Sequence, residues 1–496
     1  MFYISTRSKA EKVSFSQAII EGMAKDGGLF VCNSFPKIGL EDINSIINMS
    51  YQQRACFILR KFLTDFKYED IKFCVKQAYS AEKFASDNIV ELKNLNSNLF
   101  VLELWHGPTA AFKDMALQLL PHIMGKAIKI CGCNKKALIL TATSGDTGKA
   151  ALEGFKNVEN TEIFVFYPKN GVSKMQELQM ITQDGNNVHV CAIDGNFDDA
   201  QHGVKNILSD LAFKEMLNEN GFFFSTANSI NWGRLVAQIV YYFSAYCDIV
   251  KKGHIKVGDK INFVVPTGNF GNILACYYAK KMGLFVEDIV AASNRNCVIT
   301  DFINTGIYNK NREFFKTISP SMDILVSSNL ERLIFDISSH EYVYNVYSEF
   351  EKNGKFELNE KIFGVLKNSF YGEFCSDIKT KETINVIYKN YEYLCDPHTA
   401  VALNCYFSYA NKKCNNFKTV VVSTASPFKF AEDVLNSLGG KENLTDIEAL
   451  SKLSLISKLK VPPSFMDIYE KKIRFSKVID INSIKDYIYK ELNLKG

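Results

Sequence analysis

At 496 residues the chain is too long for one ordinary hydrophobic core, so two or three domains are expected. Hydrophobic residues make up 47% and charged residues 23%, which are values of a folded protein and exclude a disordered one. The net charge of +4 is spread along the length with no basic arm, so the expected partner is a small molecule and not nucleic acid.

The opening MFYISTRSKAEK is polar and lacks the apolar core of a secretory signal. The longest apolar stretch, near Leu235 to Tyr246, is interrupted by Gln238 and Ser244 and is shorter than the roughly 20 residues that span a bilayer. Thirteen scattered cysteines form no disulfide framework, so a soluble cytoplasmic protein with reduced thiols is expected. Cys131 and Cys133 are the only close pair and have no second cluster to complete a metal site, so no metal is expected.

In chain order, residues 1–92 carry helical apolar spacing in SFSQAIIEGMA and DINSIINMSYQQRACFILRKFL and are expected to form a mostly helical domain. From about Leu99 short β-branched runs alternate with Gly/Ser/Thr/Asn clusters and helical patterns, which predicts βαβ units around parallel sheets. We place one α/β domain at 93–235 and a second at 236–440, the latter with a mainly helical insertion at about 306–395. Residues 441–496 are expected to be a C-terminal helical extension. Four joints carry the pattern: ALILTAT into SGDTG, INFVVP into TGNFGN, the strand DIVAASN, and TVVVSTA into SPFKFAEDVLNSLGG. In open α/β sheets ligands sit at the carboxyl ends of the strands, so these loops are the candidate site.

Two joints carry chemistry on their own residues. In WHGPTAAFKDMALQLLPHIMGKA, Phe112, Met115, Ala116, Leu119, Leu120 and Ile123 recur at helical spacing, which places Lys113 in the first turns of a helix. A helix start disfavours a cation and so favours the neutral amine that condenses with an aldehyde. Thr267-Gly268-Asn269-Phe270-Gly271-Asn272 joins a strand to a helix. Its glycines let backbone approach an anion, and the amides of a helix start point at one. The spacing is neither G-x-G-x-x-G nor a P-loop.

The string HGPTAAFKDMALQ resembles the lysine motif of the threonine synthases, enzymes of fold type II that use pyridoxal 5′-phosphate (PLP). The likeness extends through YISTR, DGGLFV, SPSMDILVSSNLERL, DPHTAVAL and STASPFKF, so it covers nearly the whole chain and matches the larger branch of that family. It implies two open parallel-sheet α/β domains, Lys113 as the Schiff-base lysine with Phe112 and Asp114 as support, and Gly268, Asn269, Phe270, Gly271 and Asn272 around the PLP phosphate. It implies Thr424, with Ser423 as fallback, opposite the ring nitrogen, where a hydroxyl leaves that nitrogen unprotonated. Without the resemblance, a helix cap by Ser426 explains the same segment.

Ser144, Gly145, Asp146, Thr147 and Gly148 resemble the loop that receives a substrate carboxylate. Many relatives have Asn where Asp146 stands, facing the cofactor's phenolic oxygen, and an aspartate there needs a shared proton or a nearby cation. Asn228, Ser229, Asn231 and Arg234 in NSINWGRLVAQIVYYF, or Lys174 in SKMQELQM, are the candidates for a substrate phosphate. The implied reaction converts O-phospho-L-homoserine and water to L-threonine and phosphate. The alternatives are a PLP lyase giving 2-oxobutyrate and ammonia from that substrate, or a PLP-binding protein without catalysis. Oligomeric state is left open.

Overall fold

The computed structural model describes residues 1–494 except Ala10, Ala85, Asp87, Ser144 and 441–443. Two α/β layers form its frame. The larger sheet has the strand order Tyr371–Phe374, Val286–Ser293, Ile261–Pro266, Thr419–Ser423, Leu99–Glu103 and Glu91–Asn94. All neighbours are parallel except the last pair. The smaller sheet is parallel throughout, in the order Val478–Ile479, Val188–Ile193, Thr161–Pro168, Lys136–Ala142 and Phe222–Ser225. Central strands such as INFVVP and TVVVS are buried along their whole length, as expected where helices cover both faces of a parallel sheet.

The expected domain boundaries differ from this arrangement in four places. Leu99–Glu103 lies in the larger sheet, in register with Thr419–Ser423, so Lys113 follows that sheet while the SGDTG loop follows the smaller one. Parallel pairing is non-local, and chain proximity to residues 136–225 does not decide the partner. Tyr371–Phe374, within the supposed helical insertion, is an edge strand of the larger sheet, and Ile307–Asn309 pairs antiparallel with Lys355–Glu357. The C-terminal segment includes a strand, Val478–Ile479, on the smaller sheet. The N-terminal part is mostly helical but also holds the antiparallel pair Tyr3–Ser5 and Phe30–Cys32.

Helix Trp232–Lys251 is predominantly apolar and almost entirely buried, as a core helix is. Among the described residues no helix is long and apolar enough to cross a membrane. Trp232 packs edge-on against Tyr3 and close to Phe62. Buried Arg54 reaches Asp248 at 2.6 Å and Ser244 Oγ at 2.8 Å. These contacts attach the N-terminal helices to the centre.

The helix expected from Lys113 onward is two helices, Asp114–Leu117 and Leu120–Ile130. Pro121 has no N–H to donate to the carbonyl of Leu117 and interrupts the ladder. Gly154, in helix Asp146–Phe155 of the smaller unit, packs against that freed carbonyl, and a Cβ there would lie 1.9 Å from the Leu117 oxygen. The contact joins the lysine-bearing helix to the smaller sheet. Gly154→Ala is expected to force the two helices apart at a cost of about 1–3 kcal/mol; a denaturant midpoint equal to wild type would show that the contact yields freely.

Candidate active site

Loops from four neighbouring strands of the larger sheet converge at their carboxyl ends. Leu99–Glu103 leads to Lys113, Ile261–Pro266 to residues 267–272, Val286–Ser293 to the turn Pro320–Met322, and Thr419–Ser423 to Thr424 and Lys429. From the smaller sheet, Lys136–Ala142 delivers Asp146, Thr161–Pro168 delivers Lys174 and Gln176, and Phe222–Ser225 delivers the segment reaching Arg234.

The turn before Lys113 is built on Asp114. Its carboxylate accepts from the Thr109 amide at 2.8 Å and the Thr109 hydroxyl at 2.7 Å. Gly107 leaves room for it, since a Cβ there would lie 2.6 Å from Asp114 Cβ. Burial pushes the Asp114 carboxyl up to about 6. The Lys113 side chain is 14% exposed, and its Nζ lies 3.4 Å from Ser321 Oγ and 3.8 Å from Asp146 Oδ2. Burial lowers its amine to about 8; Asp146 opposes the shift, while Lys429 and Arg234 add to it. A neutral amine is thus favoured, but by desolvation and neighbouring cations, because a four-residue helix contributes little dipole.

Asp146 is buried between cations. Lys429 Nζ lies 2.9 Å from its Oδ1, Gln176 Nε2 donates to Oδ1 at 3.1 Å, and Ser321 Oγ donates to Oδ2 at 3.3 Å. Lys429 and Lys113 hold the carboxyl well below the usual range despite its burial. The cation that an aspartate at this position needs is therefore Lys429, itself buried and donating to the Thr109 carbonyl at 2.9 Å. Gly145, at φ 142°, faces Gln176, with a Cβ position only 2.4 Å from Nε2. Thr143 Oγ1 accepts from the amides of Gly145 and Gly148 at 3.0 and 2.9 Å and so shapes the loop. Thr147 is half-buried, and Ser144 lies outside the described residues.

In the glycine loop Phe270 takes a left-handed φ of 61° and its ring packs on Phe370, so only its backbone faces a ligand. The amides of Gly268, Asn269, Gly271 and Asn272 have no acceptor among the described residues. Ser327 Oγ and Asn329 clamp the carbonyls of Gly268 and Asn269. The Asn272 carbonyl oxygen Oδ1 accepts from Tyr241 and Tyr242 hydroxyls at 2.5 and 2.6 Å, which leaves its Nδ2 buried with no partner among the described residues. An orphaned donor beside free helix-start amides suits an anion.

Ser423 Oγ is already engaged by Trp105 Nε1 and Thr399 Oγ1 at 3.0 and 2.9 Å. The neighbouring Thr424 hydroxyl has no hydrogen-bond partner among the described residues, while its carbonyl accepts from the Phe112 amide. Of the two, Thr424 is free to meet a ring nitrogen. Ser426 does cap the short helix Pro427–Phe430, a role that leaves Thr424 untouched.

The proposed phosphate group divides. Asn231 is spent on structure: its Nδ2 donates to the carbonyls of Ile19 and Thr226, and its Oδ1 caps helix Trp232–Lys251. In this structure its side chain is committed to the scaffold. The Asn228 amide is held by Thr226 Oγ1, and Ser229 Oγ meets Ser328 Oγ at 3.2 Å. Arg234 is buried, donates Nη1 to the Ala227 carbonyl at 2.7 Å, and has an Nε with no partner. No carboxylate pairs with it among the described residues. Lys174, exposed at the first turn of helix Lys174–Ile181, stands two residues from Gln176. Sequence reasoning assigned no role to Lys429, Gln176 or Ser321, although all three lie in segments it singled out; a lysine inside the apolar run SPFKFA was the one local signal.

Three family models match: threonine synthase N terminus at residues 2–79, pyridoxal-phosphate dependent enzyme at 85–355, and threonine synthase C-terminal at 399–488. Threonine synthase of Saccharomyces cerevisiae is 36% identical over 526 residues, covering 99% of this chain and 98% of its own. The chain belongs to the threonine synthase family. Threonine synthase-like 1 of Macaca fascicularis is 38% identical over 515 residues, covering 98% of this chain and 68% of its own. The crystal structure of PLP-bound threonine synthase from Brucella melitensis superposes with a TM-score of 0.87 at 35% identity, covering 99% of both chains.

As a member of the threonine synthase family the protein is a PLP-dependent lyase of fold type II. The residues present fit the cofactor. Lys113 offers an amine of lowered basicity, the 268–272 loop with Asn272 Nδ2 offers donors for an anion, and Thr424 offers an unengaged hydroxyl. Asn272→Asp is expected to weaken PLP binding about tenfold or more by setting a carboxylate against the phosphate; an unchanged titration would remove Asn272 from the cradle. Because the Lys113 amine sits below an ordinary lysine, the unfolded chain binds more protons between about pH 8 and about pH 10. Its burial therefore costs stability below pH 8, and the cost fades as pH rises through that window. Lys113→Met should stabilise the PLP-free protein by about 1–3 kcal/mol at pH 7 and by less near pH 10. A gain independent of pH would contradict this origin.

Proposed function

We infer that this protein converts O-phospho-L-homoserine and water to L-threonine and inorganic phosphate. The observation that carries the reading is the buried Arg234 guanidinium, which has one carbonyl contact, no carboxylate partner and an Nε without a partner among the described residues. A buried cation left unpaired is costly, so the site is built for an anion beyond the one received by the 268–272 loop.

When bound, PLP supplies an electron sink that lets protons leave the α- and β-carbons of an amino acid. The chain's own residues do the rest. Lys113, whose lowered basicity leaves it half-neutral near pH 8, takes up and returns protons at its Nζ. The Asp146 and Thr147 amides and the Thr147 hydroxyl receive the substrate carboxylate, in a loop that Thr143 Oγ1 shapes through the Gly145 amide. Arg234 holds the departing phosphate by charge-assisted hydrogen bonds, and exposed Lys174 guides that group in. Asp146, kept ionised by Lys429, provides a fixed negative charge opposite the amine. A cytoplasmic setting belongs to the same reading, supported by thirteen free cysteines.

The test incubates the PLP-loaded protein with O-phospho-L-homoserine and measures phosphate, threonine and 2-oxobutyrate together. Equal phosphate and threonine are expected. Phosphate matched by 2-oxobutyrate would replace the reading with a lyase, and no phosphate release would reject it. Arg234→Ala should raise KM tenfold or more, and Arg234→Lys should recover part of the loss because a point charge cannot reproduce the two-pronged contact. Wild-type kinetics in both would shift the role to Lys174.

A further inference from the structure

Two segments of the chain, SPSMD at 319–323 and DPHTAVAL at 396–403, have no part in the steps above, yet they meet beside Lys113. Asp396 caps helix Pro397–Lys413, accepting from the amides of His398 and Thr399 at 2.9 and 3.1 Å. Its Oδ2 also lies 2.7 Å from His398 Nδ1. Next to a carboxylate, Nδ1 carries the ring proton and Nε2 is left as an acceptor. Nε2 accepts the Ser321 amide at 3.1 Å. Both side chains are buried and both ring nitrogens are occupied, so this pair resembles an acid–base dyad but is placed to hold Ser321.

The rest of the turn is anchored as firmly. Asn294 Nδ2, with two hydrogens to give, lies within hydrogen-bond distance of Thr317 Oγ1, Ser319 Oγ and Asp323 Oδ1. On the other side the Ser321 carbonyl lies 2.8 Å from where a Cβ on Gly268 would stand, so that glycine lets the turn sit against the anion cradle. The result is a hydroxyl held between two charged groups. Lys113 and Asp146 are 3.8 Å apart, beyond hydrogen-bond distance, and Ser321 Oγ bridges them at 3.4 and 3.3 Å.

We propose that Ser321 is a catalytic residue whose hydroxyl accepts an N–H of Lys113 while donating to Asp146, and that the Asp396–His398 pair is the positioning device that keeps it there. The bridge favours the ammonium form of Lys113, the form reached when the amine has taken a proton from substrate. No proton leaves Ser321 or Asp146. The inference rests on Lys113 as the proton carrier of the reading above. The other charges that face the amine are Asp114, which raises its basicity, and Lys429 and Arg234, which lower it; the variants below leave all of these in place.

The test follows capture of PLP by the PLP-free full-length protein as a function of pH, with borohydride trapping and mass spectrometry to locate the modified lysine. It needs no O-phospho-L-homoserine and so stands apart from the activity assay. In wild type the rate should reach half its plateau near pH 8, where Lys113 becomes neutral. Ser321→Ala should move that midpoint down by about one pH unit, a roughly tenfold change in basicity. Ser321→Thr, which keeps the hydroxyl, should hold the wild-type midpoint. His398→Leu should reproduce the downward shift, whereas His398→Gln, whose amide oxygen can accept the Ser321 N–H, should reverse it. A Ser321→Ala midpoint equal to wild type in folded protein overturns the proposal. If Ser321→Ala does not fold, equal midpoints in the two His398 variants overturn it instead, and a shift confined to the leucine variant supports it. Wild-type protein that captures PLP elsewhere than Lys113 overturns both this proposal and the cofactor assignment beneath it.

Discussion

The ion pair between Lys429 and Asp146 organises the site around it. Lys429 and Arg234 are buried with the carboxylates Asp146 and Asp114, and Lys113 lies largely buried beside them. Charged groups in a poorly hydrated pocket are tolerated when they balance, and these balance when one cation gives up its proton. Arginine cannot do so readily, and Lys429 is fixed against a carboxylate 2.9 Å away. The burden falls on Lys113, whose nearest carboxylate is 3.8 Å distant. Lys113 is thus the cation of the pocket that gives up its proton most easily, near pH 8, and the chemistry expected of it follows from the pair beside it.

Arg234 and Arg332 show how one physical situation serves two purposes. Both guanidinium groups are buried, and burial lowers both to about 10. Arg332 spends Nε on the Phe30 carbonyl, Nη1 on Asn329 and Nη2 on the Ile230 carbonyl, so its donors are satisfied by the scaffold. Through Asn329 it also steadies the carbonyl of Asn269 in the anion cradle. Arg234 has a single carbonyl contact and an orphaned Nε. Burial and charge do not separate the two; the hydrogen-bond inventory does, since Arg234 alone of the pair keeps a buried donor without a partner among the described residues.

What was legible in the sequence was local. A strand running into Gly268–Asn272, a lysine after HGPTAAF and a glycine loop around Asp146 each announce themselves within a few residues, because backbone freedom and helix starts are written in adjacent side chains. The partners of those residues were not legible. Ser321 is 208 positions from Lys113 and 175 from Asp146, and Lys429 is brought to Thr109 across 320 positions. Parallel pairing of Leu99–Glu103 with Thr419–Ser423 creates that proximity, and no periodicity records it. Asn231 shows the opposite limit. A polar residue in a motif-rich segment looks available until its three hydrogen bonds to the scaffold are seen.

The same distances explain why the site lies between two sheets and not within one. Lys113, the anion cradle, Ser321, Thr424 and Lys429 all hang from the larger sheet, whereas Asp146, Gln176, Lys174 and Arg234 come from the smaller unit and the helix that follows it. Two contacts tie the halves together here. At the back, Gly154 meets the carbonyl that Pro121 frees on Leu117. At the front, Asp146 reaches across to Lys429 and Ser321. The rear contact depends on shape and admits no larger residue. The front contact depends on charge, so an anion that lies against Lys113 competes with Asp146 for one of the two cations that hold it. Ligand binding and the fit between the two sheets therefore draw on the same set of charges, and neither can change without the other.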